Sequence, residues 1–201
     1  MGNAEIDPLN LPKGSGDPFR VIVAVHENSD PVLPFVHALC LATAAKGELE
    51  VVDVRKGTPD RTQLGIRRAF EQWRMLPAGS ERSDVEKMGV KVKKIYKSGD
   101  ARKEIAKRLK KHDHDLLVMG TEARTGLGHL FGLDLVENLA NSQRQTTLYV
   151  PRRAKPFADP ETGRLSLSKA LVPVAEEPPA APSLAMLRRI ASFLEDHTPQ
   201  V

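Results

Sequence analysis

Between Asp115 and Pro151 the chain reads DLLVMGTEARTGLGHLFGLDLVENLANSQRQTTLYVP. Here residue types and spacing suit the holding of phosphate. An apolar run, Leu116-Leu117-Val118-Met119, stops at Gly120. A polar loop carrying Gly126, Gly128 and Gly132 follows, then a helical pattern over Asp134 to Asn141. A second strand pattern, Thr147-Leu148-Tyr149-Val150, is closed by Pro151. A strand that ends in glycine, at a loop leading into a helix, offers an anion free backbone N–H groups and the positive end of a helix dipole. Arg124, His129 and His26 could add positive charge.

The other candidates for chemistry carry less. His112-Asp113-His114-Asp115 has metal-ligand residue types, but neighbours in a loop point in different directions and no second histidine pair has ligand spacing. A helix-to-strand turn explains it better. Cys40, the one cysteine, lies in the apolar pattern of a helix and reads as a small buried hydrophobe. A disulfide framework is therefore excluded, and a cytoplasmic location fits. Trp73, near Phe70 and Met75, reads as a packing residue. No catalytic or metal-ligating residue is assigned.

The elements that must position the glycine loop follow from apolar patterning. Val21 to Val25 is continuously apolar, the mark of a strand buried on both faces. Asp30-Pro31 starts a helix whose Val32, Phe35, Val36, Leu39 and Cys40 recur at helical spacing, and Gly47 ends it. Leu49, Val51, Val52 and Val54 mark a second strand. A partly helical connection runs from Arg61 to Met88, broken at Pro77-Ala78-Gly79. Val90, Val92 and Ile95 alternate with lysines, as in a half-exposed edge strand. Asp100 caps a helix that turns Ala101, Ile105 and Leu109 inward. Strand–helix alternation of this kind predicts an α/β fold with a parallel sheet, helices on both faces and right-handed crossovers. Ligands in such sheets sit at the carboxyl ends of strands where the strand order reverses. That puts His26 and Gly120 on either side of one crevice.

Length, charge and hydropathy bound the rest. The 201 residues suffice for one domain and something extra. No apolar run approaches ~18 residues, so no membrane span is expected. Residues 1–18 read as a flexible leader. The net charge is +4. Eleven basic residues and two acids lie between Lys87 and Lys111, and Tyr96 is the only aromatic residue that interleaves them, so a solvated face is favoured over a nucleic-acid site. Arg20-Val-Ile-Val-Ala-Val25 corresponds to Lys169-Ala-Leu-Val-Pro-Val174 at an offset of 149. A helical pattern with Leu184, Leu187 and Ile190 follows the second copy. The spacing predicts a domain over 19–153, a linker over 154–168, and over 169–201 the strand–helix start of a second, incomplete domain. That remnant either begins a tandem partner or packs on the first domain.

Three segments resemble the universal stress protein family. They are RVIVAVHENSD, then KSGDARKEIAKRLKKHDHDLLVMG, then ARTGLGHLF with LVENLANSQRQTTLYVP. The resemblance covers Phe19 to about Lys155. It implies an open five-stranded parallel sheet of order 3-2-1-4-5, of the Rossmann-like adenine-nucleotide alpha hydrolase type. It implies ATP or AMP as the possible ligand, and dimerisation through the last strand, here Thr147, Leu148, Tyr149 and Val150. The dimer would be a homodimer or, with a second domain, an intrachain pseudo-dimer; another protein partner is unknown. The candidate nucleotide site it implies uses Ala24, Val25 and His26 on the first strand, Val54 on the second, and Met119 and Gly120 on the fourth. Ala123, Arg124, Gly126, Leu133, Asp134 and Leu135 supply the loop.

Several of these positions depart from the pattern of ATP-binding members, which reads Gly, two residues, Gly, nine residues, Gly, then Ser or Thr. Gly120 matches. Ala123, Leu133 and Asp134 stand at the other three positions, and His26 stands where the first strand usually ends in Asp. Leu133 costs ~1 kcal/mol or more if its backbone needs φ above zero. Asp134 would cap its own helix, with Glu137 completing a capping box, and so occupy the N–H groups that a phosphate needs. Its carboxylate ~4 Å from a phosphate would cost about 4 kcal/mol at an effective dielectric of about 20, roughly a thousandfold in affinity. The His-x-Gly-His of nucleotidyl transferases and a Ser-Gly-Gly pyrophosphatase loop are both missing. The reading is a non-enzymatic stress-response module with a degenerate nucleotide site; the alternative is an ATP or AMP sensor using the Gly120 loop.

Overall fold

The computed structural model describes residues 17–26, 32–55, 65–121, 145–153, 155–171 and 180–195. Five strands, β1 (Arg20–His26), β2 (Glu48–Arg55), β3 (Lys91–Ser98), β4 (Leu116–Thr121) and β5 (Thr147–Pro151), form one sheet in the order β3-β2-β1-β4-β5. Every pairing is parallel. This is the fold class and the strand order expected from the sequence.

Helix α1 (Val32–Ala44) covers one face of the sheet and α4 (Ala101–Lys111) the other. Because β1 is covered on both sides, it needs no alternation of polarity. Val21, Val23 and Val25 join the core under α1, while Ile22 and Ala24 join the core under α4. The edge strand β3 is different. Lys91, Lys93 and Lys97 are exposed, and such lysines discourage edge-to-edge pairing. Short helices α2 (Ile66–Gln72) and α3 (Arg82–Lys87) fill the connection between β2 and β3. Among the described residues no helix is long and apolar enough to cross a membrane.

Two local expectations need correction. Val32 is 49% exposed, whereas Phe35, Val36, Leu39 and Cys40 are buried as expected. The α1 helix also ends by other means than a flexible glycine. Lys46 takes the left-handed conformation at φ 48°. Lys46 N–H donates to Thr43 O and Gly47 N–H to Ala42 O, a Schellman arrangement. Gly47 is required because a Cβ there would lie 2.2 Å from Phe19 O. Asp100 does cap α4, its Oδ1 accepting from Lys103 N–H at 2.9 Å.

The segment expected as a linker is tied to the domain. Ala158 and Leu165 form an antiparallel bridge, and Ala158 is fully buried. Ala158 N–H donates to His37 Nε2, Trp73 Nε1–H to Pro160 O, and the Cys40 thiol to Gly163 O. Helix α5 (Ala181–Glu195) packs on α1. Ile190 is buried, and Phe193 lies 5.0 Å from Phe19, ring to ring. Leu187 is half-buried, while Leu184 is exposed. Lys169 to Leu171 lie in no strand, and residues 172–174 of the expected strand fall outside the described residues. Strap and α5 explain why α1 is buried continuously from Pro34 to Ala44 instead of on one stripe.

Candidate functional site

The parallel sheet opens at its carboxyl end where two crossovers leave in opposite directions. The β1–β4 ladder runs from Val21–Leu116 only as far as Ala24–Met119. On either side, pairing continues to His26–Val54 and to Thr121–Pro151. The two central strands therefore part above Ala24 and Met119, with His26 on one lip and Gly120 on the other. This is the crevice that the strand order predicts.

The candidate residues divide accordingly. Ala24, Val25, Val54 and Met119 are each at most 3% exposed and form the apolar base of the crevice. Val25 turns to the α1 core, and the other three turn to the α4 core. Gly120 is half-buried and pairs with Val150. Ala123, Arg124, Gly126, Leu133, Asp134 and Leu135 lie outside the described residues, as do His129 and the helix expected over Asp134 to Asn141.

One residue near the crevice escaped the sequence reading. Asp53 pairs with Val25 one position before the lip and is 3% exposed. Arg55 Nε donates to both its carboxylate oxygens, at 2.9 and 3.2 Å. A buried carboxylate needs such a partner, since unpaired burial costs several kcal/mol. The signal was Asp53 set between Val52 and Val54, with Arg55 two residues on along the same strand face.

Other candidates settle into structural roles. Asp115 accepts Arg20 N–H at 2.7 Å and Arg189 Nη1 at 2.5 Å, tying β1 and α5 to the α4–β4 turn. No group of three metal-ligating side chains exists among the described residues. Burial pushes the Cys40 thiol up to about 12, which makes it a poor nucleophile at neutral pH. His37, also missed from sequence, is buried on α1 and held below the usual imidazole value by burial. Its Nδ1–H donates to Leu33 O at 2.7 Å, which leaves Nε2 as the acceptor for Ala158 N–H. Trp73 is 8% exposed, and its ring meets Phe70 edge-on at 5.8 Å. Thr147 to Val150 form the outer strand next to β4, with Tyr149 39% exposed.

A family model described as the Universal stress protein family matches residues 18–151. No curated protein matches the chain. Among solved structures, universal stress protein UspA from Lactobacillus plantarum is 15% identical; the alignment covers 66% of this chain and 98% of that one, with a TM-score of 0.42. A universal stress protein from Archaeoglobus fulgidus is 17% identical over 65% of this chain and 97% of that one, with a TM-score of 0.42. A family protein from Arabidopsis thaliana, solved with AMP bound, is 19% identical over 71% and 98%, with a TM-score of 0.40.

Proposed function

This chain belongs to the universal stress protein family, and from that premise we propose that it is a non-enzymatic stress-response module with a degenerate nucleotide site. In this reading it acts by dimerisation or by docking a partner protein, with the outer strand β5 as its pairing edge. The observation that supports it is a mismatch between scaffold and loop. The crevice between β1 and β4 keeps Gly120 at its lip. The loop that should close over a phosphate has Leu133 and Asp134 where ATP-binding members have a glycine and a hydroxyl. At the helix start that the sequence predicts there, an acid would compete for the N–H groups and repel the ligand.

Calorimetry with ATP and Mg²⁺ tests this directly. The unaltered chain should show no low-micromolar binding. Leu133→Gly combined with Asp134→Ser should raise affinity by about a hundredfold or more, given the ~4 kcal/mol repulsion removed. No gain in that variant would count against the proposed defect. A second reading, an ATP or AMP sensor, draws on Gly120 at the crevice and on Gly126 and Arg124 beyond it. Low-micromolar binding of either nucleotide to the unaltered chain would select it.

A further inference from the structure

The sheet has a second opening at the amino ends of its strands. On the α4 side, the starts of β1, β2 and β3 and the α4–β4 turn enclose a cleft of about 550 Å³, within the usual range for small-molecule sites. Arg20, Lys91, Lys93 and Lys111 line it. Its acids are largely engaged. Glu48 lies 3.5 Å from Arg20 and 3.8 Å from Lys91. Glu50 is held through both carboxylate oxygens by Arg108. Asp113 is the remaining acid of the lining and is exposed to solvent. Lys93 and Lys111 are in no ion pair among the described residues.

His112 and His114 complete the lining and carry the argument further. The His114 side chain is 5% exposed; its Nε2 lies 3.8 Å from Glu50 Oε1, and its Nδ1 has no hydrogen-bond partner among the described residues. His112 Nε2 is likewise buried without one, and the two rings stand 6.5 Å apart. Buried polar atoms are nearly always satisfied, so two orphans in one lining call for a partner that the described residues do not supply. An imidazole whose proton sits on the orphan nitrogen donates to an anionic oxygen. Two unpaired ammonium groups provide the charge to hold that oxygen, as lysines do at phosphate sites.

We propose that this cleft binds a small phosphorylated anion, held by Lys93 and Lys111 and by N–H groups of His112 and His114. The site is separate from the Gly120 crevice. From Arg20 to His26 the strand rises six steps of ~3.3 Å, so the two openings lie about 20 Å apart at opposite ends of the sheet. One molecule can therefore occupy the cleft whatever the crevice holds.

Inorganic pyrophosphate serves as the probe, added to the full chain while the histidine ring and backbone amide resonances are followed by NMR. Saturable shifts should centre on His112 and His114, with half-saturation in the millimolar range or below. The His114 imidazole, held below its usual value by burial, should titrate at higher pH with the anion bound, because an adjacent negative charge favours the imidazolium. Replacing both exposed lysines, Lys93→Gln with Lys111→Gln, should weaken binding at least tenfold without affecting folding. Shifts that do not saturate, shifts confined to Gly120 and its neighbours, or unchanged affinity in the double variant would each overturn the proposal.

Discussion

Gly163 stands at φ +69°, and a methyl group there would lie 2.4 Å from Trp73 Cδ2 and 2.5 Å from Cε3. The ring it touches is fixed by the Nε1–H bond to Pro160 O, so it has little freedom to yield. Gly163→Ala should therefore destabilise the protein by about 2–4 kcal/mol, combining left-handed backbone strain with overpacking. Chemical denaturation measures this, and a change below ~0.5 kcal/mol would show that the strap can shift. Sequence legibility at this scale was uneven. Cys40 was correctly placed inside, because its neighbours recur at helical spacing, and Trp73 was read as a packing residue near Phe70, which it meets. His37 was overlooked because its partner Ala158 lies far along the chain, and Asp53 although Arg55 stands two residues on, on the same face of the strand. Gly47 was recognised as a necessary glycine for the wrong reason. It makes room for Phe19 O, while Lys46 takes the turn.

At the scale of elements, the strap over 155–167 and helix α5 do more than connect. They supply Ala158, Ile190 and Phe193 to the core under α1, and they satisfy His37 Nε2 and Trp73 Nε1. Ending the chain after Arg153 would expose these apolar surfaces and leave two buried polar atoms unpaired. The expected loss is on the order of 5 kcal/mol, from several buried side chains at about 1.5–3 kcal/mol each, offset by the chain entropy regained. Cys40, whose thiol faces Gly163 O, should then react with an aromatic disulfide reagent that leaves it untouched in the full chain. Equal thiol protection in both proteins would contradict this role. The strap was read as a linker because KPFADPETG is rich in proline and charge and ends in glycine. Composition carries no information about the surface on which such a segment settles. The strands were legible for the opposite reason, since burial on two faces demands apolar residues throughout.

For the whole molecule, two buried histidines make stability depend on pH. Burial lowers both His37 and His114 below the ordinary imidazole value. Each is neutral in the folded chain, while the unfolded chain takes up protons near pH 6.5. Between the folded and unfolded values the unfolded state binds more protons, so stability rises with pH there. Stability should be full above about pH 6.5 and fall on acidification through that value, by at most about 1.4 kcal/mol per pH unit for each histidine. Guanidinium unfolding at pH 7.5, 6.5 and 5.5 measures the slope. His37→Gln should reduce it, and a flat profile between pH 7.5 and 5.5 would remove the histidines as its source.

The sequence by itself determined the alternation of strands and helices and the two-sided burial of the central strands, and three of its segments carried the resemblance that implies the sheet order and the family. The first two depend on local periodicity, which acts within single elements and between neighbours. It also placed Gly120, because a strand that stops at glycine is a local event. Only the tertiary structure decided what covers α1, which carboxylates are paired, and which cations and imidazoles share the amino-end cleft. Those outcomes join residues far apart in the chain, Glu50 with Arg108, Asp115 with Arg189, His37 with Ala158. A one-dimensional pattern records which residues want burial or a charge partner, and the packing of the folded chain selects the partner each one finds.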